Sequence, residues 1–282
     1  MYEPFYHLRS KPFQLGPDPR FFFSSRGHQR AMAYLVYGAH QGEGFIIITG
    51  EIGAGKTMLA STLAHKLASQ NLMLAQVVST RLKDDDMVRM VAASFGLVQD
   101  NSKAVLLDRI EQHLLASHRQ GKRALLIVDE AQNIPPESVE ELRMLSNFSN
   151  GAHSLLQTFL LGQPEFRRML LSPAMEQLRQ RVIASCHLGP LDRAETEGYI
   201  LHRLVTAGWR NDPTFSADAF AGIHQYTGGI PRKINVMCDR LLLMGCLDKK
   251  HALTGAEVAS LVEELQQEFA PLERHISGER AG

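Results

Sequence analysis

Cysteine, tryptophan and surplus charge are what this sequence has least of. Its 282 residues include three cysteines, one tryptophan and equal numbers of basic and acidic side chains, 30 of each. Cys186, Cys238 and Cys246 are odd in number and widely spaced, which argues against a disulfide framework or a cysteine zinc site and leaves them as small buried residues. The 12 histidines are scattered; His113 and His118, five apart, fall on different faces of a helix. A formal net charge of zero argues against nucleic acid as the main partner, a local basic face aside. No apolar run approaches the roughly 20 residues that cross a bilayer. The opening "MYEPFYHLRSKPF" lacks the apolar core and cleavage site of a signal peptide. These absences place the chain in the cytoplasm, with no transmembrane segment. Its 44% hydrophobic and 21% charged residues are those of a globular protein, long enough for an α/β domain and a smaller one.

What is present is a regular alternation. A segment rich in proline and aromatics, "EPFYHLRSKPFQLGPDPRFFFSS", reads as extended chain packed on a domain surface. A helix follows, with Ala31, Leu35 and Ala39 along one face. "FIIIT" (45–49), "LAQVVS" (74–79), "ALLIVDE" (124–130), "LLQTFLLG" (155–162) and "VIASCHL" (182–188) read as strands. Helical patterns at 56–70, 84–95 and 103–119, and over "PPESVEELRMLSNF", lie between them. Such alternation predicts a mostly parallel sheet covered on both faces. After residue 190 strand signals stop and helices are expected at 192–207, 216–226, 231–247 and 254–269. The predicted organisation is an α/β domain over 1–190 that includes the N-terminal segment, a helical domain over 191–270, and a disordered tail over 271–282.

The chemistry centres on Gly50-Glu51-Ile52-Gly53-Ala54-Gly55-Lys56-Thr57, with Met58 next on the helix. This run fits G-x-x-x-x-G-K-[ST] at every position and stands where it must, between a buried strand and an amphipathic helix. Glycines let the backbone aim N–H groups at phosphates, and the helix adds its positive end. Lys56 would meet the β- and γ-phosphates of ATP, and the Thr57 hydroxyl a magnesium ion. "LLIVDE" then puts two carboxylates at a strand tip: Asp129 to hold magnesium through water, Glu130 to polarise the attacking water. Gln163 ends another buried strand, where it either senses the γ-phosphate or merely terminates the strand. Arg179 and Arg181 precede the last strand, as transition-state fingers for a neighbouring subunit or as surface ion-pair partners. Arg232 opens a helix behind Pro231, within reach of a γ-phosphate if that helix folds back.

With these motifs in this order, the chain resembles the AAA+ ATPases, and among them the general secretion pathway protein A family. The resemblance runs from "KPFQLGPDPRFFF" through "TGEIGAGKT", "LLIVDEAQN", "LGQPEFRRML" and "LRQRV" to "GGIPRKIN". The opening segment is most similar to the branch found beside exosortase genes in exopolysaccharide clusters. The resemblance implies a P-loop sheet of strand order 5-1-4-3-2 with a helical lid, and ATP and Mg2+ as ligands. It implies sensor roles for Gln163 and Arg232 and a finger role for Arg181 in preference to Arg179. The "PDPRFFF" run is expected near the adenine. Longer family members add a membrane span and a periplasmic domain after this core, so action on secretion, exopolysaccharide export or envelope assembly is expected through a protein partner, with ATP-dependent homo-oligomers. The competing expectation is a DNA-associated regulator resembling transposition ATP-binding proteins, for which Arg167 and Arg168 would supply a small basic patch.

Overall fold

A computed structural model describes residues 1–67, 71–78, 86–100 and 102–278 of the chain. Parts of the expected elements at 68–70, 79 and 84–85, and the tail residues 279–282, lie outside the described residues. The chain divides into two compact units: Ser24–Gly189, and Met1–Phe23 together with the chain from Pro190 onward.

The first unit is built on the expected apolar runs. In chain order its strands are β1 (Phe45–Gly50), β2 (Leu72–Val78), β3 (Arg123–Asp129), the two-residue β4 (Ser149–Asn150) and β5 (His153–Ser154), β6 (Leu156–Gly162) and β7 (Val182–Leu188). Five of them make one parallel sheet in the order β2-β3-β6-β1-β7. Counted alone, these five strands run 5-1-4-3-2; the labels differ because the small antiparallel hairpin β4-β5 intervenes. Two residues per strand are too few to show an alternating pattern, so the sequence carries no sign of that hairpin. Every residue of β1 and β6 is buried, as expected for strands covered on both faces.

Helices precede and connect these strands: Arg26–Gln41 leads into β1, and Lys56–Leu67, Lys103–Arg119 and Pro136–Leu145 lie among the connections. The first is capped by the Ser25 hydroxyl, which accepts from the His28 N–H, and stops at Gly42 with φ 74°. Val77, Leu126, Val128 and Leu160 share a core with Met87, Leu106 and Leu114. The parallel register pairs Thr49 with Gly162 and Val128 with Leu160. It therefore brings Gly50, Asp129 and Gly162 out on the same edge, at the carboxyl ends of the strands, where open α/β sheets bind ligands.

The second unit packs the helices Arg193–Thr206, Ala217–Thr227, Pro231–Leu247 and Gly255–Gly278. A capping box joins Asp192 and Glu195 at the start of the first. A two-residue parallel bridge, β8 (Thr214–Phe215) with β9 (Ala252–Leu253), adds strand where none is expected.

Two expectations need correction here. The first 23 residues belong to the helical unit, not the α/β domain. Tyr2, Tyr6 and Phe13 are buried in the helical core beside Ile200, Leu204, Ile223 and Met237. Arg203, itself buried, donates to the carbonyls of Pro12 (2.5 Å) and Gln14 (3.1 Å) and to the Tyr199 hydroxyl (3.0 Å), and lies 4.9 Å from the Phe21 ring centroid. A buried guanidinium is tolerated only when its donors are so satisfied, and these acceptors hold the N-terminal arm in place. The second correction concerns the tail. The final helix continues to Gly278, past residue 270, through a "LERHI" run of mostly good helix formers.

Candidate active site

The loop after β1 is shaped by close approaches. A side chain at Gly55 would face two obstacles: φ is +96°, and a Cβ would stand 2.8 Å from Nε2 of the buried His28. A Cβ at Gly50 would lie 2.7 Å from the Leu188 carbonyl of the neighbouring strand. The Ala54 N–H turns back to the Glu51 carbonyl at 3.1 Å, while the Ile52 side chain is exposed. Lys56 opens the helix and is buried; its Nζ donates to the carbonyls of Gly50 (2.8 Å) and Glu51 (3.0 Å). Burial pushes its pKa down, and the charges of Glu130, Asp129 and Glu51 pull the other way.

Across the strand tips, Thr57 Oγ1 donates to Asp129 Oδ2 at 2.7 Å, and the other Asp129 oxygen accepts the Glu130 N–H at 2.9 Å. Asp129 is buried. Glu130 follows in the left-handed region, φ 56° and ψ 41°, a conformation that costs a non-glycine residue about 1 kcal/mol or more. Its carboxylate is not left to solvent. Glu130 Oε2 accepts from Nε2 of Gln163 at 3.0 Å and from Nε2 of Gln132. The Gln163 N–H in turn donates to Gln132 Oε1 at 2.9 Å. Thr57, Asp129, Glu130 and Gln163, predicted from three separate stretches of sequence, thus form one connected cluster. A hydroxyl and a carboxylate converging at 2.7 Å are a hard-oxygen pair that suits Mg2+.

Residues 39–170 match a protein family described as the AAA domain. The chain is 36% identical over 261 residues to general secretion pathway protein A of Aeromonas hydrophila, a match that covers 92% of this chain. Residues 39–170 thus carry an AAA domain, and nearly the whole chain is similar to general secretion pathway protein A. It spans about half, 47%, of the length of that relative. Solved structures agree on the fold. Cdc6p of Pyrobaculum aerophilum superposes with a TM-score of 0.70 at 14% identity, covering 90% of this chain and 70% of the other. The Aeropyrum pernix ORC2 protein, solved with ADPNP and ADP, gives 0.68 at 16% identity over 90% and 71%. The Thermotoga maritima RuvB branch-migration motor gives 0.57 at 18% identity over 85% and 68%.

Three candidates share no described hydrogen bond with the cluster. Arg181 immediately precedes β7, at the sheet edge opposite the P-loop; it donates from Nη1 to Ser146 Oγ at 2.9 Å. Arg179 is committed within the fold, with Nη1 donating to the carbonyls of Leu170 (2.5 Å) and Ser172 (2.6 Å). Arg232 is exposed on the first turn of the helix Pro231–Leu247, in the helical unit. Sequence reasoning passed over Gln132 and His28. Gln132 stands two residues past Glu130 inside "DEAQN", which was its only signal; His28 had none, because the chain fold alone brings it beneath Gly55.

Proposed function

We propose that this AAA+ ATPase uses ATP hydrolysis to drive or regulate a secretion, exopolysaccharide-export or envelope-assembly machine, acting on the cytoplasmic side through a protein partner. The observation that carries the catalytic half is the linked cluster Thr57–Asp129–Glu130–Gln163 on the P-loop edge of the sheet. The P-loop N–H groups from Gly50 to Met58 and the Lys56 ammonium would cradle the phosphates. Thr57 and Asp129 would hold magnesium, Asp129 through water; when bound, the ion neutralises charge on the phosphate oxygens. Glu130 orients water for in-line attack on the γ-phosphorus. The new P–O bond forms as the bond to the β,γ-bridging oxygen breaks, the water proton passes to Glu130, and ADP and phosphate leave. Gln163 reports the γ-phosphate to Glu130, and Arg232 is the lid arginine that reads the same group. Arg181, unlike Arg179, keeps a guanidinium able to exchange its hydroxyl partner for a neighbouring subunit's ATP, so the working form is a homo-oligomer.

The export half is supported by the likeness to general secretion pathway protein A. Zero net charge weighs against DNA as the partner. The test is to replace the chain in its own cells with Glu130→Gln at the same protein level. Loss of secreted protein or surface polysaccharide is the expected result. Unchanged export, together with ATP-dependent DNA binding that weakens steeply with salt, would overturn the reading in favour of a DNA-associated regulator.

A further inference from the structure

Gln132 has no role in the assignment above, yet it is the piece that closes the cluster. Glu130 stands just beyond the end of β3, at the start of a short 3-10 turn over Ala131–Asn133. No regular element carries its side chain, so something else must hold the carboxylate still. Gln132 uses both ends of its amide for this. Its Nε2 donates to Glu130 Oε2, and its Oε1 accepts the backbone N–H of Gln163 at the tip of β6. Gln163 Nε2 reaches the same carboxylate oxygen at 3.0 Å. A carboxylate oxygen has two lone pairs, and both on Oε2 are thereby taken. Oε1 is left as the oxygen able to accept the water's proton.

We infer that Gln132 is a positioning residue for ATP hydrolysis: it braces Glu130 against the tip of β6, so that the carboxylate's orientation follows the strand that carries Gln163. A backbone N–H is the firmest anchor a strand tip offers, because its own position is set by the sheet. The brace thus ties the water-activating group to the element that senses the γ-phosphate, alongside the contact that the Gln163 side chain makes with the same carboxylate oxygen. A residue that merely filled the space would tolerate any side chain of the same length. A brace needs both the donor and the acceptor. The inference rests on Glu130 as the group that activates water.

Two variants separate these possibilities in the purified full chain with MgATP. Gln132→Met keeps the length and removes both polar ends. Gln132→Glu keeps an acceptor for the Gln163 N–H but removes the donor to Glu130 and sets a like charge beside it. Both should lower kcat by about ten- to a hundredfold, with KM for ATP and affinity for ADP within about twofold of the unaltered chain, as for a group acting only in the transition state. Retained ADP affinity also shows that the variants are folded. Adding Gln163→Ala to Gln132→Met should cost less than the product of the two single losses, since both act on one carboxylate. A kcat for Gln132→Met within about twofold of the unaltered chain, a KM that rises in step with the loss, or fully multiplicative effects would each overturn the inference. Glu130→Gln is measured alongside. Undiminished turnover there removes the assignment of Glu130 itself, whereas a dead Glu130→Gln beside a fully active Gln132→Met removes only the brace.

Discussion

Each unit of this protein joins polar side chains in a connected network, and the two networks are built differently: Arg203, Tyr199 and Asn235 are buried, whereas only Asp129 of the strand-tip cluster is. In the α/β unit, Thr57, Asp129, Glu130, Gln132 and Gln163 bond largely to one another, side chain to side chain, across strand tips. In the helical unit, Arg203 bonds to the carbonyls of Pro12 and Gln14 and to Tyr199, whose hydroxyl donates to Asn235 Oδ1 at 2.8 Å. The first network spends its hydrogen bonds on orienting groups that do chemistry. The second spends them on fixing a chain segment. A connected polar network, even a buried one, therefore does not by itself mark a functional site; what marks it is that the bonds converge on groups able to bind or activate a substrate.

Substitutions can break this contrast. The largest effect is expected for Lys56→Ala: ATP binding lost at micromolar concentrations by titration, with folding stability kept within about 1 kcal/mol. Retained micromolar binding would remove Lys56 from the phosphate site. Next comes Arg181→Ala, which should lower turnover about a thousandfold with binding kept, while Arg179→Ala acts on stability. Mixing Arg181→Ala with Glu130→Gln should restore part of the turnover, because an intact Glu130 then meets an intact Arg181 from the other subunit. No recovery on mixing, or a loss of turnover in Arg179→Ala alone, would show that the finger is misassigned. The smallest effect, and the one that sharpens the contrast, is Arg203→Ala. Removing it orphans buried carbonyls and should destabilise the helical unit by about 3 kcal/mol in denaturant unfolding, with nucleotide binding by the folded fraction intact. A cost under about 1 kcal/mol would mean that the aromatic contacts of Tyr2, Tyr6 and Phe13 hold the arm unaided.

What the sequence disclosed follows the same division. β1, β3 and β6 were legible because strands buried on both faces must be nearly all apolar, the edge strand β7 because its apolar residues are flanked by turn residues, and the P-loop because its glycines and lysine are fixed in spacing by the phosphates they wrap. Asp129 and Glu130 were legible as acids ending such a strand. The home of the N-terminal arm was not. Its prolines and aromatics show that it packs, but only the buried Arg203, which reads in sequence as an ordinary helix arginine, shows on what. Gln132 was hidden for a related reason: a glutamine after two acids looks like any polar turn residue until the register of β3 and β6 sets its two ends between Glu130 and Gln163. The hairpin β4-β5 and the bridge β8-β9 are too short for periodicity to register. Side chains that act through tertiary neighbours leave no local pattern.

The central claim is that Glu130 sits in a cluster built to activate water on a bound nucleotide. It is tested most directly by binding labelled MgATP to Glu130→Gln and following its conversion to ADP in a single turnover. The account predicts binding within a few-fold of the unaltered chain and hydrolysis slowed by at least about a hundredfold. Hydrolysis at the unaltered rate would contradict it.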